Sequence, residues 1–147
     1  MEQIQQPVNM QTVRMMLKNN FKVEWMRRWI QGSTGRTLYN EMSKPNPNDN
    51  INKLRRAEQC TIFQLRTGHT KLKAHLNRFN PEREPNCRNC QHPYETTDHV
   101  LFTCPALTSD RRKLLPAIPT IRNTLYGSTY QLQNTHTFFN LALAAKE

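Results

Sequence analysis

Acidic residues are what this sequence has little of. Its 147 residues carry 11 Asp plus Glu against 21 Lys plus Arg, a formal net charge of +10 and a pI of about 9.9. Aspartate occurs only as Asp49, Asp98 and Asp110, scattered along the chain, so the clustered carboxylates that hold catalytic metal ions cannot be assembled from them. Long apolar runs are also missing. No window reaches the 18 or so apolar residues of a membrane span, and MEQIQQPVNM has neither the basic start nor the apolar core of an export signal. The expectation is an intracellular protein, nuclear or cytoplasmic, with no membrane partner. Glycine is scarce at four residues while proline reaches nine, and mean hydropathy is −0.82. Short helices and loops around a modest core follow, and such a core needs bracing. The length fits one domain or two small ones, and a field of this sign favours polyanions.

What is present is helical periodicity. Residues 11–31 open with Thr12 as a possible cap and repeat Val13, Met16, Leu17, Phe21, Trp25 and Trp29 at helical intervals up to Gly32. The connector after it, with Pro45 and Pro47, excludes regular structure. A second helix is expected from a cap at Asp49 or Asn50 to a stop at Gly68, with Ile51, Leu54, Ala57, Thr61 and Leu65 on one stripe and Cys60 buried beside it. Thr70 caps a third, KLKAHLNRF, with Leu72, Leu76 and Phe79 inward. Thr96 or Thr97 begins a fourth that ends at Cys104, before Pro105. SDRRKLL and THTFFNLALAAKE complete the set. The fold class is therefore mainly α, divided as 1–47 (long helix and linker), 48–119 (helices plus cysteine cluster) and 120–147 (helical tail).

Four cysteines are few, and three of them stand together with a histidine. Cys87, Cys90, His99 and Cys104 form a Cys-x2-Cys-x8-His-x4-Cys spacing. Zinc takes four N or S ligands tetrahedrally, and a Cys-x2-Cys turn offers two thiolates from one loop while a nearby helix offers the other pair. Without export the cysteines meet a reducing environment, which favours one structural Zn2+ over a disulfide. The competing reading is that the cysteines are simply small buried apolar groups. His92 is a rival ligand, but its place beside Pro93 suits a loop role. One difficulty is geometric: five positions on an ideal helix turn through about 500°, leaving His99 and Cys104 some 140° apart unless the helix frays.

The run RRAEQCTIFQLRTGHTKLKAHLNRF, followed by this cluster and ETTDHVLFTCP, resembles the C-terminal tail of reverse transcriptase polyproteins from non-LTR retrotransposons of the Jockey and CR1 kind. The resemblance covers roughly residues 5–115 and is carried by LRTGHTKL and the cysteine spacing. It implies a zinc-knuckle-like segment, with Cys87, Cys90, His99 and Cys104 as ligands, that binds element RNA or target DNA during reverse transcription. It differs from the retroviral nucleocapsid knuckle in having eight residues, not four, between Cys90 and His99, and in lacking that knuckle's glycine and aromatic; Tyr94 and Phe102 are the nearest aromatics. The polymerase and ribonuclease H carboxylates of the parent polyprotein are not found in it.

Two functions fit this chain. The first is a non-catalytic nucleic-acid-binding module, with Lys53, Arg55, Arg56, Arg66, Lys71, Lys73, Arg78 and Arg88 contacting the phosphates of RNA or DNA. The second is a zinc-stabilised interaction module whose stripe of Met15, Met16, Phe21, Trp25 and Trp29 docks the reverse transcriptase domains of the parent element, or a decayed fragment with no activity. For that stripe, ordinary core is the simpler expectation.

Overall fold

The computed structural model describes residues 9–144, without the side chains of Thr37 and Tyr39. The described residues are mainly helical and contain no strand, as the sequence predicts. They divide into two compact units, one up to Ser43 and one from Lys44 onward.

The first unit is built on α1 (Met10–Gln31), whose start is capped by Asn9, Oδ1 accepting from the Gln11 N–H at 2.9 Å. Its last carbonyls need partners, since the final turn of a helix leaves them unbonded. Arg36, at the start of α2 (Arg36–Glu41), donates to the carbonyls of Trp29 and Ile30. Trp25 stacks on Trp29, whose indole N–H donates to Ser43 O at 3.1 Å. No residue of α1 is buried, and Phe21 is 73% exposed. Within its own unit the stripe is therefore not a core: periodicity gathers a face, but this unit supplies no element that buries it.

In the second unit the expected helix over 49–68 is two pieces. Asp49 caps a single 3-10 turn, Asn50–Lys53, and the chain then runs extended through Leu54 and Arg55 before α3 (Arg56–Thr67) begins. Glu58 fixes that restart, its carboxylate accepting from the Arg55 N–H at 2.9 Å and from the Arg55 guanidinium. Gly68, at φ 74°, ends α3 in the left-handed conformation that glycine adopts without strain. Cys60 is exposed on α3, not buried. The next helix, α4 (Lys73–Asn77), is shorter than expected, and Phe79 lies beyond it, 75% exposed.

After a 3-10 turn at Pro105–Leu107 come α5 (Thr108–Leu114), α6 (Ile121–Leu125) and α7 (Thr129–Leu143). The core is organised around α7, which packs on α3, α5 and α6 and buries Leu132, Phe138, Phe139 and Ala142 against Ile62, Leu65, Leu101 and Leu125. Beyond Pro119, α6 and α7 thus contribute Leu125, Leu132, Phe138, Phe139 and Ala142 to the second unit's interior. Gly127 makes the α6–α7 turn feasible, because a Cβ there would stand 2.4 Å from Asn123 O. Arg66 ties the pieces: buried, it donates to Leu125 O at 2.8 Å, pairs with Asp49 and lies 4.2 Å above the Tyr126 ring.

Candidate metal centre

The first pair of cysteines stands on a tight loop. The Gln91 N–H donates to Cys87 O at 3.1 Å and the Cys87 N–H to His92 O at 2.8 Å, while the Asn89 amide points at Cys87 Sγ from 3.5 Å. Gln91 closes the turn at φ 61°. Both thiols face the same side because two spacer residues are enough to reverse the chain.

The second pair is brought together by a π-turn, His99–Thr103. Thr96 caps its approach, Oγ1 accepting from the His99 N–H at 3.1 Å, and the Cys104 N–H then bonds His99 O, five residues back, at 2.7 Å. A turn closed over five residues instead of four returns position i+5 to nearly the side it left, which removes the 140° separation an α-helix would impose. Pro105 helps to explain the choice. It has no N–H to give Leu101 O, and the wide turn diverts the Cys104 N–H from Val100 O. Arg111 supplies both carbonyls, donating to Leu101 O at 2.7 Å and Val100 O at 3.2 Å, and also to Cys104 O at 3.0 Å.

Cys87, Cys90, His99 and Cys104 converge so that their ligand atoms all lie within 4.8 Å of one another. Cys87 Sγ is 4.0 Å from Cys104 Sγ, and Cys90 Sγ is 3.2 Å from His99 Nε2. A tetrahedral zinc with bonds of about 2.3 Å to sulfur has ligand-to-ligand edges of about 3.8 Å, so the cluster has the size of a zinc site. Three of the four residues are buried. Burial, together with the Cys90 and Cys87 thiols, pushes the Cys104 thiol up to about 12; a cation entering here displaces protons. Burial likewise holds His99 below the usual imidazole range, helped by His92 and Arg111 against the opposing pull of Glu95.

The imidazole is also oriented. Thr103 Oγ1 stands 3.1 Å from His99 Nδ1 and donates to His99 O at 3.4 Å, so it accepts from Nδ1–H and leaves the Nε2 lone pair aimed into the cluster. His92 stacks on the His99 ring with centroids 4.1 Å apart, its Nδ1 turned to the Tyr94 backbone and its ring outside the cluster.

Glu95, which nothing in the sequence singles out, is fully buried beside the knuckle. It accepts from the Arg88 amide at 3.1 Å, from the Arg88 guanidinium at 2.7 Å and 3.0 Å, and from the Lys73 amide at 2.8 Å. Burial alone would raise its carboxyl, and these bonds outweigh it, leaving Glu95 below the usual range. Arg88 also reaches Leu143 O at 3.1 Å, and Asn89 donates to Ala142 O at 3.0 Å.

These bonds revise the expected set of phosphate contacts. Buried Arg66 and half-buried Arg88 have their N–H groups taken by carboxylates and carbonyls of the fold, which leaves neither fork for a phosphate. Arg55 is exposed but paired with Glu58. Lys53, Arg56, Lys71 and Arg78 are exposed, Lys73 is half-buried, and none of the five makes an ion pair among the described residues. No helix among the described residues is long and apolar enough to cross a membrane.

The family described as zinc-binding in reverse transcriptase matches residues 34–109, just over half of the chain and inclusive of all four converging side chains. Comparison with curated proteins and with solved structures found no match.

Proposed function

We propose, from the premise that the chain belongs to this zinc-binding family of reverse transcriptases, that it is a non-catalytic module in which one structural Zn2+, held by Cys87, Cys90, His99 and Cys104, braces a basic surface for RNA or DNA. The observation that carries the reading is the π-turn: it brings His99 and Cys104 onto one side, opposite the Cys87–Cys90 loop. All four ligands are protein groups, so the ion has no open position for water or substrate and its role is structural. Within the family, the resemblance to tails of Jockey- and CR1-like non-LTR elements supports a place beside reverse transcription of the element RNA. Lys53, Arg56, Lys71, Lys73 and Arg78 are the cations left to meet phosphates.

Metal content measured by native mass spectrometry tests the first half. One zinc per chain is expected, lost on chelation together with helical signal and absent from Cys87→Ser and His99→Ala; full metal in either variant sinks the ligand assignment. A salt titration of oligonucleotide binding tests the second. With five phosphate contacts the logarithm of affinity should fall with a slope of about −3.5 against log salt on single strands. Lys71→Glu with Arg78→Glu should lower affinity about tenfold and flatten that slope without moving the melting temperature. The exposed Met16, Leu17, Phe21 and Trp25 of α1 favour a second reading, docking to the reverse transcriptase domains of a parent polyprotein. Such docking would scarcely respond to salt.

A further inference from the structure

Phe79 is an apolar ring that the core does not claim. It stands just past α4 and is 75% exposed, which leaves at least one face of the ring open to solvent. Its backbone is nonetheless fixed: the Phe79 and Asn80 N–H groups both donate to Leu76 O at 3.1 Å, and the Arg78 N–H donates to His75 O at 3.2 Å. Asn77 holds the chain beyond, its side chain donating to Arg83 O at 2.6 Å. The ring is thus presented from an ordered turn.

Two further rings stand behind it. Phe79 meets His75 edge to face with centroids 5.2 Å apart, and His75 meets His69 in the same manner, also at 5.2 Å. His75 Nδ1 is buried with no hydrogen-bond partner among the described residues, so this imidazole serves its neighbours as a ring and not as a polar group. Burial, then the charges of His69 and Arg78, hold His75 below the usual imidazole range and keep it neutral at pH 7. Arg78 is therefore close to the ring cluster, and it is exposed and in no ion pair among the described residues.

The surroundings decide the occupant. Along the chain Phe79 is flanked by exposed Arg78, Asn80 and Pro81, so it is one ring in a polar and basic setting. A protein partner covers a patch of several hundred Å², far more than one ring. A nucleobase matches the ring in size and flatness, and its strand brings the phosphate that a neighbouring cation requires. We infer that Phe79 is a stacking platform for one unpaired base of a single strand, backed by His75 and His69, with Arg78 on an adjacent phosphate. The inference rests on the nucleic-acid reading proposed above. It adds a contact that only a single strand can make, one that does not choose among bases, because every base has a π-face.

The test uses the full zinc-loaded chain and fluorescence anisotropy with three short RNAs of equal length: oligouridine, an abasic strand and a duplex. Oligouridine should bind about tenfold more tightly than the abasic strand. Phe79→Leu keeps an apolar side chain but removes the π-face, and at so exposed a position it should not move the melting temperature. It should bring oligouridine down to the abasic strand while the abasic and duplex affinities stay as they were, and Phe79→Trp should keep the preference for oligouridine. Arg78→Ala should weaken all three. If Phe79→Leu binds oligouridine as tightly as the parent, with salt-dependent affinity intact, the ring takes no base and the phosphate-binding reading stands. Equal weakening of all three RNAs by Phe79→Leu would also overturn the platform. If the parent chain binds none of them, both readings fall together.

Discussion

At the scale of single residues, Thr103 is the most informative side chain outside the four converging ones. Its hydroxyl selects which nitrogen of His99 faces the cluster, and groups in this position commonly govern metal affinity by 10–100-fold. Thr103→Val, close in shape but unable to accept, should raise the zinc dissociation constant by about tenfold in a chelator competition, with the zinc-loaded protein melting almost unchanged. An unaltered constant would mean that packing alone orients the ring. The sequence shows the four converging residues plainly, because thiols and an imidazole at this spacing have few other uses. Thr103 and Glu95 are not legible in it, since their importance arises from a turn type and a burial that spacing does not encode. Arg66 and Arg88 illustrate the same limit from the other side: a charge count cannot separate a guanidinium that faces solvent from one that holds carbonyls and carboxylates inside.

At the scale of elements, the two spacer residues of the knuckle serve a distant helix. Ala142 and Leu143 belong to the last turn of α7, whose carbonyls have no partners within the helix, and Asn89 and Arg88 donate to them. Asn89→Ala should therefore cost about 1 kcal/mol and speed amide hydrogen exchange across residues 132–143 as well as in the knuckle. Chelation should have the larger effect on both segments at once. Exchange that rises at the knuckle alone would show that α7 holds itself in place. Helix positions followed the sequence where a cap or stop was strong, as at Gly68 and Thr96. They depart from it where local pairs compete, as where Glu58 pulls the start of α3 to Arg56; the capping boxes Thr120–Asn123 and Ser128–Gln131, which start α6 and α7, are the local signals that set those starts.

For the whole molecule, internal carboxylates set the acid limit, Asp49 and Glu95 among them alongside Glu58, which Arg55 holds below its usual range. Burial pushes the Asp49 and Glu95 carboxyls up, but Arg66 with the Ile51 amide, and Arg88 with the Lys73 and Arg88 amides, outweigh it and leave both below their unfolded values. Their stabilisation is complete above about pH 5 and is lost as pH falls through the lower, folded values. Stability should therefore decline below about pH 4, with zinc leaving as its ligands take up protons. Glu95→Gln should cost about 3 kcal/mol at neutral pH and flatten the acid slope while zinc leaves at the same pH as in the parent. An identical slope would show that Glu95 does not contribute and leave the acid sensitivity to the remaining carboxylates and the metal.

The bonds from Arg88 and Asn89 to α7 also bear on where this module ends. The family match stops at residue 109, yet the knuckle's own donors find their acceptors at Ala142 and Leu143. A fragment trimmed to the matched region would keep every cysteine and the histidine, but it would lose the helix at the centre of its core and strand two donors. The smallest piece able to stand alone is thus set by hydrogen-bond partners, and it reaches more than thirty residues past the boundary drawn by sequence similarity.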